Sequence, residues 1–173
     1  MKTLVILAHP KINESKANKR WKDELFKYPQ EIKVHELYIE YPNWNIDVQK
    51  EQNLLMQYGH IILQFPLFWF NCPPLLKKWF DDVLSYNWAY GNEYKLNGKN
   101  IGVAISIGGF ENDYSKTGSV KFSMDEILAP FEATVEYIKA NLTSRYLLFD
   151  TENISDEELS ENAKNYTRHI LSL

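Results

Sequence analysis

Several things are scarce in this sequence. Of its 173 residues only Cys72 is a cysteine, so no internal disulfide can form, and a reducing compartment, the cytoplasm, is the expected setting. Positive charge is not in excess, since 19 Lys and Arg face 23 Asp and Glu for a net charge of −4. That balance argues against a broad surface tracking a phosphate backbone, so nucleic acid is not an expected partner. The opening MKTLVILAHP holds an apolar run far shorter than a membrane span or a signal-peptide core with its cleavage site. Four scattered histidines (His9, His35, His60, His169) and one cysteine make no ligand-spaced cluster such as HExxH, so no metal is expected. Neither GxxxxGK[ST] nor GxGxxG occurs, which removes support for P-loop nucleotide hydrolysis and for a Rossmann dinucleotide site. There is no internal repeat, low-complexity segment or linker, and the length suits one domain over residues 1–173.

What is present is apolar and aromatic. Hydrophobic residues make up 45% of the chain and aromatics 14%, with five tryptophans, a heavy load of planar side chains for a small acidic domain. They crowd into QFPLFWFNCPPLLKKWFDDVL, residues 64–84.

Periodicity predicts strands alternating with helices. Lys2–Ala8, His60–Phe65 and Asn100–Ile107 are nearly unbroken β-prone runs, the pattern of strands covered on both faces. Glu31–Leu37 and Ser144–Phe149 supply two more strands. Helices are expected from about Ser15, with Ala17, Trp21 and Leu25 on one face, and over Val48–Gln57. A third opens at Pro73 and Pro74, where missing amides cost nothing, and buries Leu75, Leu76, Trp79, Phe80, Val83 and Leu84. A long helix carrying Met124, Leu128, Phe131 and Val135 should bend at Pro130. The last begins with Ser155 and Glu158 as a capping box, flanked by Ile154 and Leu159 as a hydrophobic staple. Five such strands separated by helices imply an α/β, flavodoxin-like three-layer sandwich around a five-stranded parallel sheet of order 2-1-3-4-5.

In that topology ligands bind outside the carboxyl ends of the strands where the order reverses, which singles out three loops. HPKINESKAN, residues 9–18, ends with Ser15 at a helix start, where free amides and the helix dipole can seat a phosphate, although Ser15 is equally an ordinary N-cap. PLFWFNCPP, residues 66–74, offers walls and amides to a flat ligand, although spacing alone favours Phe68, Trp69 and Phe70 as core, since aromatic runs usually pack. Cys72 is expected to pack as a small apolar group. In IGGFENDY, residues 107–114, Gly108 and Gly109 let backbone approach a ligand and Tyr114 brings a phenol.

Four separated motifs recur in order: AHP followed by SKAN, the 64–84 stretch, SYNWAYG, and GG six residues ahead of a tyrosine. Together they resemble the NAD(P)H:quinone oxidoreductase family of the flavodoxin-like fold, most closely its short bacterial members, among them ancillary subunits of potassium efflux systems. The resemblance implies an FMN or FAD enzyme, a homodimer with active sites at the interface, carrying a hydride from NAD(P)H to quinones or to nitro and azo acceptors. By resemblance, His9, Ser15, Ala17 and Asn18 hold the phosphate side. Pro66, Leu67, Phe68 and Trp69 border the isoalloxazine, and Ser106, Ile107, Gly108 and Gly109 close its other edge. Trp88 and Tyr90 line the substrate pocket from the partner subunit, and Tyr114 is the candidate catalytic residue near the flavin carbonyl edge. The histidine that follows this tyrosine by six residues in the animal-type enzymes is replaced by Val120, so its proton relay does not carry over. Their long C-terminal extension has no counterpart either, so FMN is expected rather than FAD. Two rival readings remain: a regulatory subunit docked on a membrane transporter, which the resemblance to efflux-system subunits implies, and a flavodoxin-type electron carrier.

Overall fold

The computed structural model describes residues 2–173. Five parallel strands, β1 (Thr3–Leu7), β2 (Ile32–Glu36), β3 (His60–Pro66), β4 (Asn100–Ser106) and β5 (Asn141–Leu148), form one sheet of order β2-β1-β3-β4-β5. The expected topology is therefore present. Along the central strands alternate side chains divide the core in two, as the two-residue strand period dictates. Leu4, Ile6, Ile61, Leu63, Phe65, Val103 and Ile105 pack beneath three helices on one face: α3 (Val48–Met56), α4 (Pro74–Val83) and α5 (Met124–Tyr137). Val5, Ile62 and Ala104 meet the helices of the other face, α1 (Lys16–Leu25) and α6 (Asp156–Leu171).

Local signals explain most of the boundaries. Ser15 Oγ accepts from the Asn18 amide at 3.1 Å and caps α1, whose buried face is Ala17, Asn18, Trp21 and Leu25. Ser155 and Glu158 close the capping box of α6, with Ile154 packed on the cluster that holds Leu159. A second capping box, Ser123 with Glu126, starts α5, and the helix continues through Pro130, which is exposed.

Three details differ from the sequence reading. A one-turn helix, α2 (Leu37–Glu40), follows β2 where the strand was expected to run on to Leu37. β5 begins at Asn141 rather than Ser144, because Asn141, Leu142 and Thr143 are exposed edge residues with no burial pattern to announce them. Phe80 and Leu84 are only half-buried, since both border a cleft between α4 and α5.

Behind α4 lies a buried carboxylate. Glu51 of α3 is fully buried and accepts from His35 Nε2 at 2.9 Å, Tyr41 OH at 2.6 Å and Trp79 Nε1 at 2.8 Å. Burial pushes its pKa up, but the hydrogen bonds and charge of His35, with those of Tyr41 and Trp79, outweigh it and hold the carboxyl below its usual range. Three elements, β2, α3 and α4, are thereby fixed to one another.

Candidate functional site

The strand order brings the predicted loops together. A cleft of about 510 Å³ opens at the carboxyl ends of β1, β3 and β4, lined by His9, Ser15, Ala17, Pro66, Leu67, Phe68, Ser106 and Gly108 among others. Eight of the twelve residues expected to touch a cofactor thus face one space.

Its floor near α1 is a donor surface. Lys16 and Ala17 occupy the first turn, where amides have no intrahelical acceptor. The Ser15 oxygen already accepts from Asn18, which leaves its own proton to give. His9 Nδ1 accepts from the Lys11 amide at 3.1 Å, so a neutral His9 carries its proton on Nε2. Burial lowers the His9 pKa, against a smaller upward pull from Glu14, and favours that neutral form. Lys16 Nζ adds a positive charge while donating to the Glu152 carbonyl at 3.1 Å.

The aromatic wall stands on unusual backbone. Phe68 and Asn71 exchange amide-to-carbonyl hydrogen bonds of 2.9 and 3.0 Å, closing a two-residue turn in which Trp69 and Phe70 have φ of +47° and +61°. Such a turn favours Asn-Gly, because L side chains in left-handed backbone cost about 1–3 kcal/mol each. Here the turn presents Trp69 to solvent at 93% exposure, with Phe70 also exposed. Trp69 is therefore neither core nor a lining of the cleft; Phe68 is the wall, and its ring meets His9 edge-on at 6.1 Å.

Opposite, the 107–114 loop is built around its glycines. A Cβ on Gly108 would meet only Glu152 Oε1, at 3.7 Å, so the space above it is open to a ligand. A Cβ on Gly109 would lie 3.1 Å from the Tyr114 hydroxyl, so glycine there lets the phenol fold against the turn. Burial, and secondarily Asp113, raises the Tyr114 pKa and keeps that hydroxyl protonated. Tyr114 also packs on Phe149 at 5.7 Å.

Several predicted residues sit elsewhere. Asn18 is fully buried behind the cleft, with Nδ2 donating to Ser106 Oγ at 2.7 Å. Ile107 turns its side chain into the core; its backbone instead bonds Leu148 and Thr151. Trp88 and Tyr90 do not line this cleft: Trp88 is half-buried against the core, and Tyr90 stands in the separate α4–α5 cleft, 5.6 Å from Tyr137. Cys72 is buried and its thiol pKa is pushed up to about 11 by burial, as expected of an inert packing residue.

Sequence reasoning missed Glu14, Lys16, Thr151 and Glu152, all of which line the cleft. The last two follow β5; since β5 pairs with β4, the loop leaving it could have been placed beside Gly108 from the strand order alone.

This donor set, with an open glycine edge and an apolar wall, fits an anionic phosphate joined to a flat polar ring. Among the described residues no group of three or more His, Cys, Asp or Glu side chains could hold a metal. A family model described as flavodoxin-like fold matches residues 1–170. In Bacillus subtilis an uncharacterised NAD(P)H oxidoreductase, YrkL, is 42% identical over 171 residues, covering 98% of both chains. The crystal structure of general stress protein 14 from Treponema denticola, in complex with FMN, superposes with a TM-score of 0.95 at 41% identity, over 99% of each chain. An NADPH-quinone reductase from P. pentosaceus superposes at 0.91 with 29% identity, over 100% of this chain and 99% of its own. Matched along nearly its whole length by both sequence and structure, the chain belongs to the flavodoxin-like NAD(P)H oxidoreductase family.

Proposed function

We propose that this protein is an FMN-dependent NAD(P)H:quinone oxidoreductase whose cofactor occupies the cleft between the ends of β1, β3 and β4. The observation that carries this reading is the meeting, in one space, of a helix N-terminus, an aromatic wall at Phe68 and the open edge of Gly108. The FMN-bound relative and the quinone reductase of the same fold support it.

Bound FMN would supply the two-electron chemistry, taking a hydride from NAD(P)H and returning the electron pair to a quinone, nitro or azo acceptor. The chain holds and orients. Ser15, the amides of Lys16 and Ala17, and His9 Nε2 would hold the phosphate, where the helix dipole adds to their pull. Pro66, Leu67 and Phe68 would bound one side of the ring, and the Gly108 and Gly109 amides would face its polar edge, stabilising negative charge there. Tyr114, kept protonated, would donate from its hydroxyl near that edge. With Val120 in place of a histidine, any further proton would come from water or another group.

Trp88 and Tyr90 lie outside the cleft of their own chain, so their place in the substrate pocket requires a second copy. The functional unit in this reading is a homodimer, and donor and acceptor take turns at one opening.

Purified protein mixed with FMN should bind one flavin per chain, and NADH or NADPH should bleach its visible bands. With a benzoquinone acceptor the double-reciprocal plots should be parallel. A folded chain that takes up no FMN overturns the reading.

A further inference from the structure

Behind the cleft a line of buried polar side chains runs along the sheet face covered by α1 and α6. Tyr166 of α6, Gln64 of β3 and Asn18 of α1 are each fully buried, and Ser106 of β4 is nearly so. Tyr166 OH bonds Gln64 Oε1 at 3.1 Å, Gln64 Nε2 lies 3.3 Å from both the carbonyl oxygen and Oδ1 of Asn18, and Asn18 Nδ2 meets Ser106 Oγ at 2.7 Å. A glutamine in the middle of an otherwise apolar central strand is costly unless it is fully paired.

Amide groups can be turned over, so the direction of such a line is usually ambiguous. Here a backbone atom removes the ambiguity. The Asn18 carbonyl oxygen can only accept, so the Gln64 group facing it must be the NH₂. Gln64 Oε1 then faces Tyr166, whose hydroxyl must donate. The same NH₂ faces the Asn18 side chain, which must present its oxygen and so turns its own NH₂ to Ser106. Ser106 Oγ therefore accepts from behind. Among the described residues its proton has no protein acceptor, and Ser106 is one of the residues that line the cleft.

We propose that Gln64 and Tyr166 are positioning residues: with Asn18 they form a one-way hydrogen-bond relay that makes the Ser106 hydroxyl an obligate donor to the cleft ligand. The ligand atom opposite Ser106 must be an acceptor, as the oxygens of FMN are; the inference rests on the flavin reading above. The relay would give Asn18 a part in the site without touching its contents, and would let α6, whose residues do not line the cleft, bear on it.

The test is a double-mutant cycle on FMN affinity, read by quenching of flavin fluorescence, with melting temperatures of the FMN-free proteins as the fold control. Ser106→Ala should weaken binding about tenfold, the worth of one hydrogen bond to a polar or charged acceptor. Gln64→Met should weaken it several-fold by itself and add nothing in the Ser106→Ala background. Tyr166→Phe, which loses a single hydroxyl, should give a smaller loss that also vanishes in that background, and it decides the matter should Gln64→Met fail to fold. Independent, additive losses, or unchanged affinity in the Gln64 and Tyr166 variants, overturn the relay while leaving the flavin reading intact. Absence of FMN binding by the wild-type chain overturns the flavin reading itself.

Discussion

Trp69 and Trp79 lie ten residues apart in one aromatic stretch, on either side of Pro73 and Pro74, and they have opposite fates. Trp79 is 2% exposed, sits on regular helix and gives its indole N–H to buried Glu51; Trp69 is 93% exposed on left-handed backbone. One satisfies every local rule and the other breaks two, exposing a large apolar ring and adopting a costly φ. Packing explains the first. The second is the kind of departure that a ligand-binding edge requires, because the fold gains nothing from it.

The largest expected effect lies on the buried side. Trp79→Ala should cost about 3–5 kcal/mol in denaturant unfolding, from the cavity left and from the donor withdrawn from Glu51. A loss no greater than that of an exposed tryptophan would dissolve the contrast. Glu51→Gln comes next and is best read through pH. The folded carboxyl titrates below the unfolded one, so its contribution is whole above the unfolded value, about 4.3, and is lost as pH falls through the folded one. Wild-type stability should therefore drop on acidification more steeply than that of Glu51→Gln, and parallel curves would count against a charged Glu51.

On the exposed side the signs reverse. Trp69→Gly should raise stability by about 1 kcal/mol, because glycine accepts φ of +47° without strain. The same change should weaken FMN binding indirectly, by loosening the turn that holds the Phe68 wall against the cleft. Ser15→Ala should cost about 1 kcal/mol through the lost N-cap, and should also lower FMN affinity by removing a donor. Loss of stability alone would make Ser15 a cap and nothing more.

The same contrast shows what could be read in advance. Strand order, the buried face of α1 and the Ser155 capping box were legible because each depends on residues close in sequence or on apolar runs that admit one arrangement. The turn at Trp69 and Phe70 was not, since its side chains carry no preference for positive φ; an Asn-Gly pair would have announced it. Asn18 is expected in the cleft by resemblance. Only the pairing of β3 with β4 behind α1 shows that its amide is consumed by Ser106 and Gln64. Glu152 and Thr151 were hidden for a related reason: a polar turn after an edge strand looks like any other until the sheet places it beside Gly108.

Titration of FMN into wild type and Trp69→Gly side by side, with melting temperatures of both FMN-free proteins, tests the central claim most directly. The wild type should bind one flavin per chain, and the variant should bind it at least several-fold more weakly while melting no lower. Equal affinity in the two, or no flavin bound by a folded wild type, would contradict the assignment of the strained turn to cofactor binding.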